Sequence, residues 1–216
     1  MIFQFVLLLF LQILPSGIKN ITSASTASTS NYLVVKKGYV MSYNGNDARA
    51  NWVGWTLSYS DLGGAERSNR FREDKDLPTS FKKSDADDYR QSGYDRGHLC
   101  NSEDRSSSDY LNEETFLMSN MLPQTPQLNR GPWKRLEEYC RKLARRGQKL
   151  TIYAGGIGRL GRGGEVIIPS HCWKVVISTE KMWCILIPNE HNLHPNWQTY
   201  SIPLKELEKL MGGKFL

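Results

Sequence analysis

A chain of 216 residues can fill one good-sized core, and 39% hydrophobic with 23% charged residues reads as a soluble globule. Its 28 Lys and Arg against 22 Asp and Glu leave a net charge of +6, a balance that attracts polyanions without naming one. Four cysteines exclude a dense disulfide framework and none has the CxxC spacing of a zinc site; one or two bridges and buried free thiols both fit.

Residues 1–14 are almost continuously apolar and break at Pro15-Ser16-Gly17. A transmembrane helix needs about 20 such residues, so the run suits a signal-peptide core better than an uncleaved anchor, although a basic n-region is missing. Residues 18–30 are rich in Ser, Thr and Ala and read as leader remnant or linker. The expected organisation is therefore signal peptide and linker over 1–31, one domain over 32–216, and a secreted or periplasmic location.

Within the domain a strand is expected in 32–43. A second is expected where Val53, Trp55, Leu57 and Tyr59 alternate with Gly54, Thr56 and Ser58. Residues 66–94 are polar and irregular, a long loop of the kind that often carries function. Leu99-Cys100 starts a short strand, and 116–121 is a second apolar run ending at Pro123. Trp133, Leu136, Cys140, Leu143 and Ala144 then recur at helical spacing, with Pro132 suited to the first turn and Gly147 to the end. Strands are expected at 149–154, 165–168, 172–177 and 182–187, and a last helix at 204–211. The six glycines of 155–164 lack a P-loop ending and predict a flexible connection.

The strand, loop, strand, helix run of 94–141 holds the residues suited to chemistry. His98 has the pKa of a general base, although an isolated histidine is more often structural. Asn129 offers the neutral oxygen that Mg²⁺ accepts among its waters, or else caps a helix. Glu137 falls at the margin of the helix's apolar stripe, where a carboxylate needs a partner: a hydrated cation, or Arg141 at i+4. Arg130, Lys134, Arg135, Arg141, Lys142, Arg145, Arg146 and Lys149, with only Glu137 and Glu138 as acids, form a solvated face or a track for a nucleic-acid backbone. Together these suit metal-assisted attack of water on a phosphodiester.

Tyr94-Asp95-Arg96-Gly97-His98, Ser119-Asn120-Met121 with Pro123-Gln124, and Asn129 followed by Trp133, Leu136 and Glu137 resemble the DNA/RNA non-specific endonucleases. These are ββα-metal enzymes that include extracellular bacterial nucleases and mitochondrial endonuclease G. The likeness extends from residue 32 to 216 and takes in Arg67-Ser68-Asn69-Arg70-Phe71-Arg72-Glu73-Asp74. It implies an α+β fold, with a central, mostly antiparallel sheet on which the catalytic strand-loop-strand-helix unit packs. It implies His98 as general base and Asn129 as the one direct protein ligand of Mg²⁺, with Mn²⁺ as a substitute. Glu137 would hold metal-bound water, and Arg67 and Arg141 would neutralise charge on the phosphate. Arg96 and Asn120 would contact the phosphate or brace what does, and Asp95 would support the motif's geometry. Such enzymes cut DNA and RNA to leave 5′-phosphate ends and read backbone rather than bases. Two departures are Asn101, where many relatives carry proline or alanine, and Pro132, which bears on where the helix starts and hence on Asn129.

The competing reading is a catalytically inactive nucleic-acid-binding protein of the same fold. Joint retention of Arg67, His98, Asn129, Glu137 and Arg141 counts against it. A toxin restrained by an inhibitor protein would share the chemistry.

Overall fold

The computed structural model describes residues 20–215, so the apolar leader expected at 1–14 lies outside them. Strands β1 (Tyr32–Val35), β2 (Val40–Asn44) and β3 (Arg49–Leu57) form an antiparallel meander. A two-stranded ribbon, β4 (Asp95–His98) with β5 (Met121–Gln124), stands apart from it. Strand β6 (Leu150–Ile157) returns to pair with β3. A small hairpin, β7 (Gly161–Gly163) and β8 (Val166–Ile168), precedes β9 (His171–Ile177) and β10 (Met182–Pro188). The main sheet has the order β1-β2-β3-β6-β9-β10 and is antiparallel throughout. Helices are α1 (Asp109–Glu114), the single turn α2 (Pro126–Leu128), α3 (Lys134–Arg145) and α4 (Leu204–Met211). Among the described residues no helix is long and apolar enough to cross a membrane.

Alternation along the strands gives the sheet two apolar faces. On one, Trp55, Leu57, Ile152, Cys172 and Val176 pack under Leu136, Cys140, Leu143 and Ala144 of α3. On the other, Trp52, Tyr153, Trp173 and Val175 meet Leu207 of α4, Phe215 and Ile21. Ile21 overturns the expected linker. It is buried, its N–H donates to the Lys214 carbonyl at 2.7 Å, and Ser25 accepts from Leu33 at 3.1 Å. The domain thus begins no later than Asn20, because one apolar anchor and a few backbone bonds suffice to hold a polar segment.

Three further expectations change. The first strand of the ribbon ends at His98 instead of starting at Leu99. The second begins at Met121 and includes Pro123, which a ribbon without a third strand tolerates. The glycine-rich stretch is ordered packing at its start: a Cβ on Gly155 would lie 2.3 Å from the Asn51 carbonyl oxygen. All four cysteines are free and buried.

Candidate active site

His98 ends β4, opposite Met121 of β5. The neighbouring position must be glycine, because a Cβ on Gly97 would sit 2.1 Å from Gln124 Oε1. The imidazole is 5% exposed and lies between two rings, Phe71 at 5.8 Å and Phe116 at 4.9 Å between centroids. Each ring carries a guanidinium: Arg96 is 4.1 Å over Phe71, and Arg67 is 4.9 Å over Phe116. His98 Nε2 is sealed and unpartnered, which leaves Nδ1 as the nitrogen able to meet solvent. Burial, then Arg67 and Arg96, push this histidine down to about 3. It is therefore neutral at ordinary pH.

A helix delivers the other groups. Asn129, Trp133, Glu137 and Arg141 recur every fourth residue and share one helical face. They dock on Asp95, His98, Asn101 and Asp104, which recur every third. Asn129 Nδ2 donates to Asp95 Oδ2 at 2.9 Å, and Trp133 Nε1 donates to the His98 carbonyl at 3.2 Å. Asn101 Nδ2 donates to Glu137 Oε2 at 2.7 Å, and Arg141 Nη1 donates to Asp104 Oδ1 at 3.0 Å. This zip ties Asn129, Trp133, Glu137 and Arg141 to the segment from Asp95 to Asp104 that carries His98. Pro132 does move the helix start. Residues Asn129–Trp133 form a wide π-turn with a non-helical Gly131, and Asn129 leads into α3 from that turn.

Glu137 is buried and paired with Lys174, whose Nζ is 3.3 Å from Oε1. Burial pushes the carboxyl up to about 7 against the pull of Lys174 and Arg141, and Asp104 adds to the rise. Asp95 behaves oppositely: against burial, hydrogen bonds from Arg130 and Asn129 hold it below the usual carboxylate range. The Asn129–Asp95 bond also fixes the amide, and Asn129 Oδ1 accepts no hydrogen bond from the described residues. One hard oxygen of this kind suits a divalent ion that keeps most of its waters. Among the described residues no three His, Cys, Asp or Glu side chains cluster into a metal cage.

The remaining candidates divide. Arg67 donates to Ser102 Oγ at 2.9 Å and Asn69 Oδ1 at 2.8 Å on the rim, and Arg96 is exposed. Arg141 is inside: its side chain is 4% exposed and it meets Glu103 at 2.7 Å as well as Asp104. Its charge is spent within the protein, and a phosphate reaches it only if Glu103 swings away. Asn120 lies on the bracing side of its expected role. It is fully buried, accepts from Cys100 N–H at 2.9 Å, and donates to the Cys100 and Thr115 carbonyls at 2.8 and 2.9 Å. Its work is to clamp the turn after His98.

A family profile described as DNA/RNA non-specific endonuclease matches residues 16–216. The chain belongs to that family. A nuclease of Nostoc sp. is 41% identical over 217 residues, covering 94% of this chain and 78% of that one. Mitochondrial endonuclease G of Homo sapiens is 33% identical over 158 residues, 66% of this chain and 53% of its own. A crystal structure of an EndoG/EndoGI complex superposes with TM-score 0.73 at 26% identity, covering 83% of each chain.

Several groups in this endonuclease's site escaped the sequence reading: Phe71, Phe116, Asn101 in its bonding role, Asp104 and Lys174. Lys174 had a signal. It falls between Cys172 and Val176 in a strand where alternate residues face α3, so it is a charge written into an apolar position. Phe71 stands in the stretch that carries the family resemblance, but nothing in that long irregular loop marks it as a wall for His98.

Proposed function

We propose that this endonuclease is metal-dependent and sugar-non-specific, hydrolysing DNA and RNA backbones to leave 5′-phosphate ends. What supports this reading is the zip of α3 onto residues 95–104, in which Asn129 bonds Asp95, Trp133 bonds the His98 carbonyl and Glu137 accepts from Asn101. His98 Nδ1 takes the proton from the attacking water as its oxygen bonds to phosphorus and the P–O3′ bond breaks, the departing 3′-oxygen taking a proton from water. Arg67 and Arg96, fixed over aromatic rings, offset charge on the phosphoryl oxygens. Arg141 holds Asn101 and Asp104, and through them the setting of Glu137. Asn129 Oδ1 would hold Mg²⁺, or Mn²⁺ in its place, and Glu137 would orient its waters. When bound, that ion supplies charge stabilisation to the leaving oxygen. Contacts of this kind address phosphate and sugar without reading bases, which favours activity on both polymers.

Export behind the leader and restraint by an inhibitor protein belong to the same reading. The former is motivated by the apolar run at residues 1–14, the latter by the inhibitor-bound structural neighbour.

The test is cleavage of supercoiled DNA and of RNA with Mg²⁺. Activity should vanish with EDTA and fall about 10²- to 10⁴-fold in His98→Ala. Undiminished cutting by His98→Ala, or indifference to EDTA, would overturn the assignment.

A further inference from the structure

Lys174 lies on β9, the strand next to the sheet's β10 edge, between Ala154 of β6 and Ile185 of β10, and is 1% exposed. Its neighbours on that face are Cys172 and Val176. An ammonium placed there gives up its hydration and persists only with strong partners. It has three: Nζ is 3.3 Å from Glu137 Oε1, 4.1 Å from the centre of the Trp133 ring and 5.5 Å from that of Trp55. Each leads to a different part of the site. Glu137 is touched directly. Trp133 Nε1 donates to the His98 carbonyl at 3.2 Å. Trp55 Nε1 donates at 3.1 Å to Asp104 Oδ2, whose other oxygen accepts from Arg141.

We infer that Lys174 is a positioning residue for the hydrolysis. From beneath the site, this buried cation holds Glu137, the backbone of His98 and the Asp104–Arg141 pair in one arrangement. The inference rests on the roles proposed above for His98 and Glu137. The charged groups acting on Glu137 are Lys174 from the sheet, Arg141 on its own helix, Asp104 from the segment after β4 and Arg67 from the long loop. Of the cations, Lys174 alone approaches from the core side and also reaches both tryptophans. Removing it leaves Glu137 without its nearest counter-charge and frees Trp133 to shift the carbonyl of His98.

Lys174→Met, similar in length and apolar, tests this. Turnover of plasmid DNA at saturating Mg²⁺ should fall about 10- to 100-fold, with KM within about twofold. The acid limb of the pH profile should move to higher pH. In metal-free protein, the NMR resonances of the His98 ring should move as well. Val176→Ala, on the same face of β9, is the control: it should lower Tm and leave kcat and the His98 resonances in place. Should Lys174→Met not fold, Lys174→Gln, which keeps a donor without the charge, takes its place. Wild-type kcat and unmoved His98 resonances in the Lys174 variant would overturn the inference, as would an equal loss of kcat in Val176→Ala. A wild-type protein that cuts nothing would defeat the hydrolytic reading instead, and the metal-free resonances would still decide the role of Lys174.

Discussion

On one side of β9, Trp173 and Val175 pack with Trp52, Tyr153, Leu207 and Phe215; on the other, Lys174 lies between Cys172 and Val176 beneath α3. The first side is closed by apolar contact, and its residues need nothing from one another beyond shape. The second buries Lys174, Glu137, Asp104 and Arg141, each at most 5% exposed. Burying four charges is costly even when they pair, and apolar residues of like volume would often be as stable or more so. The two sides of one strand therefore separate what holds the domain together from what aims its chemistry.

The sharpest way to break that contrast is Trp173→Ala. Loss of the largest side chain on the apolar side should cost about 3–5 kcal/mol, read as a lower denaturation midpoint, while the folded fraction keeps its kcat. A loss of kcat without loss of stability would mean that the two sides are not separable.

The next effect is pH linkage, on the charged side alone. Glu137 is raised to about 7 in the folded protein, so the fold binds its proton more tightly than the unfolded chain does. The stability it contributes is full below the unfolded value near 4.3 and is lost as pH rises through about 7. His98, lowered to about 3, runs the other way. Its folded form stays neutral, so its contribution is full above the unfolded value near 6.5 and is lost as pH falls toward 3. These shifts correspond to roughly 4 kcal/mol for Glu137 and roughly 5 kcal/mol for His98 across their windows. Denaturant unfolding of wild type against Glu137→Gln and against His98→Ala should give difference curves of opposite slope. Flat curves would place both groups in ordinary solvated settings.

The same contrast explains what the sequence made legible. Strand β3 announced itself by alternation, and α3 by its apolar spacing. His98, Asn129 and Glu137 stood out because their residue types and intervals match a chemical task. Lys174 did not, since an apolar period tolerates one exception and nothing local says that its partners are two tryptophans and a helix carboxylate. Helix α1 was missed because it is only six residues long, too short for an apolar period, and is started by the Ser108 cap. Residues 20–31 were read as linker from their composition, whereas their place depends on Ile21 meeting Phe215 at the far end of the chain. For Lys174 and for residues 20–31 the deciding contact is remote in sequence.

A third arc of α3 carries charge that is neither buried nor paired inward. At about 100° per residue, Lys134 and Arg145 lie roughly 60° and 80° round from Glu137, on the same side as Arg141. Both are exposed, and Lys134 has only a loose pair with Glu138 at 3.8 Å. They are about 16 Å apart along the axis, which corresponds to about five nucleotide steps of a duplex at 3.4 Å each. If buried charge aims the chemistry and open charge holds the polymer, these two residues act on binding alone. Binding of a duplex to His98→Ala protein should lose about 0.9 from its log–log salt slope with each of Lys134→Gln and Arg145→Gln. Arg146→Gln, which removes the same charge from the far side of the helix, should leave that slope nearly unchanged. Equal effects from all three would mean that overall charge, rather than a strand lying along this arc, governs association; a fall in kcat from Lys134→Gln would mean that the boundary between aiming and holding runs through α3 itself.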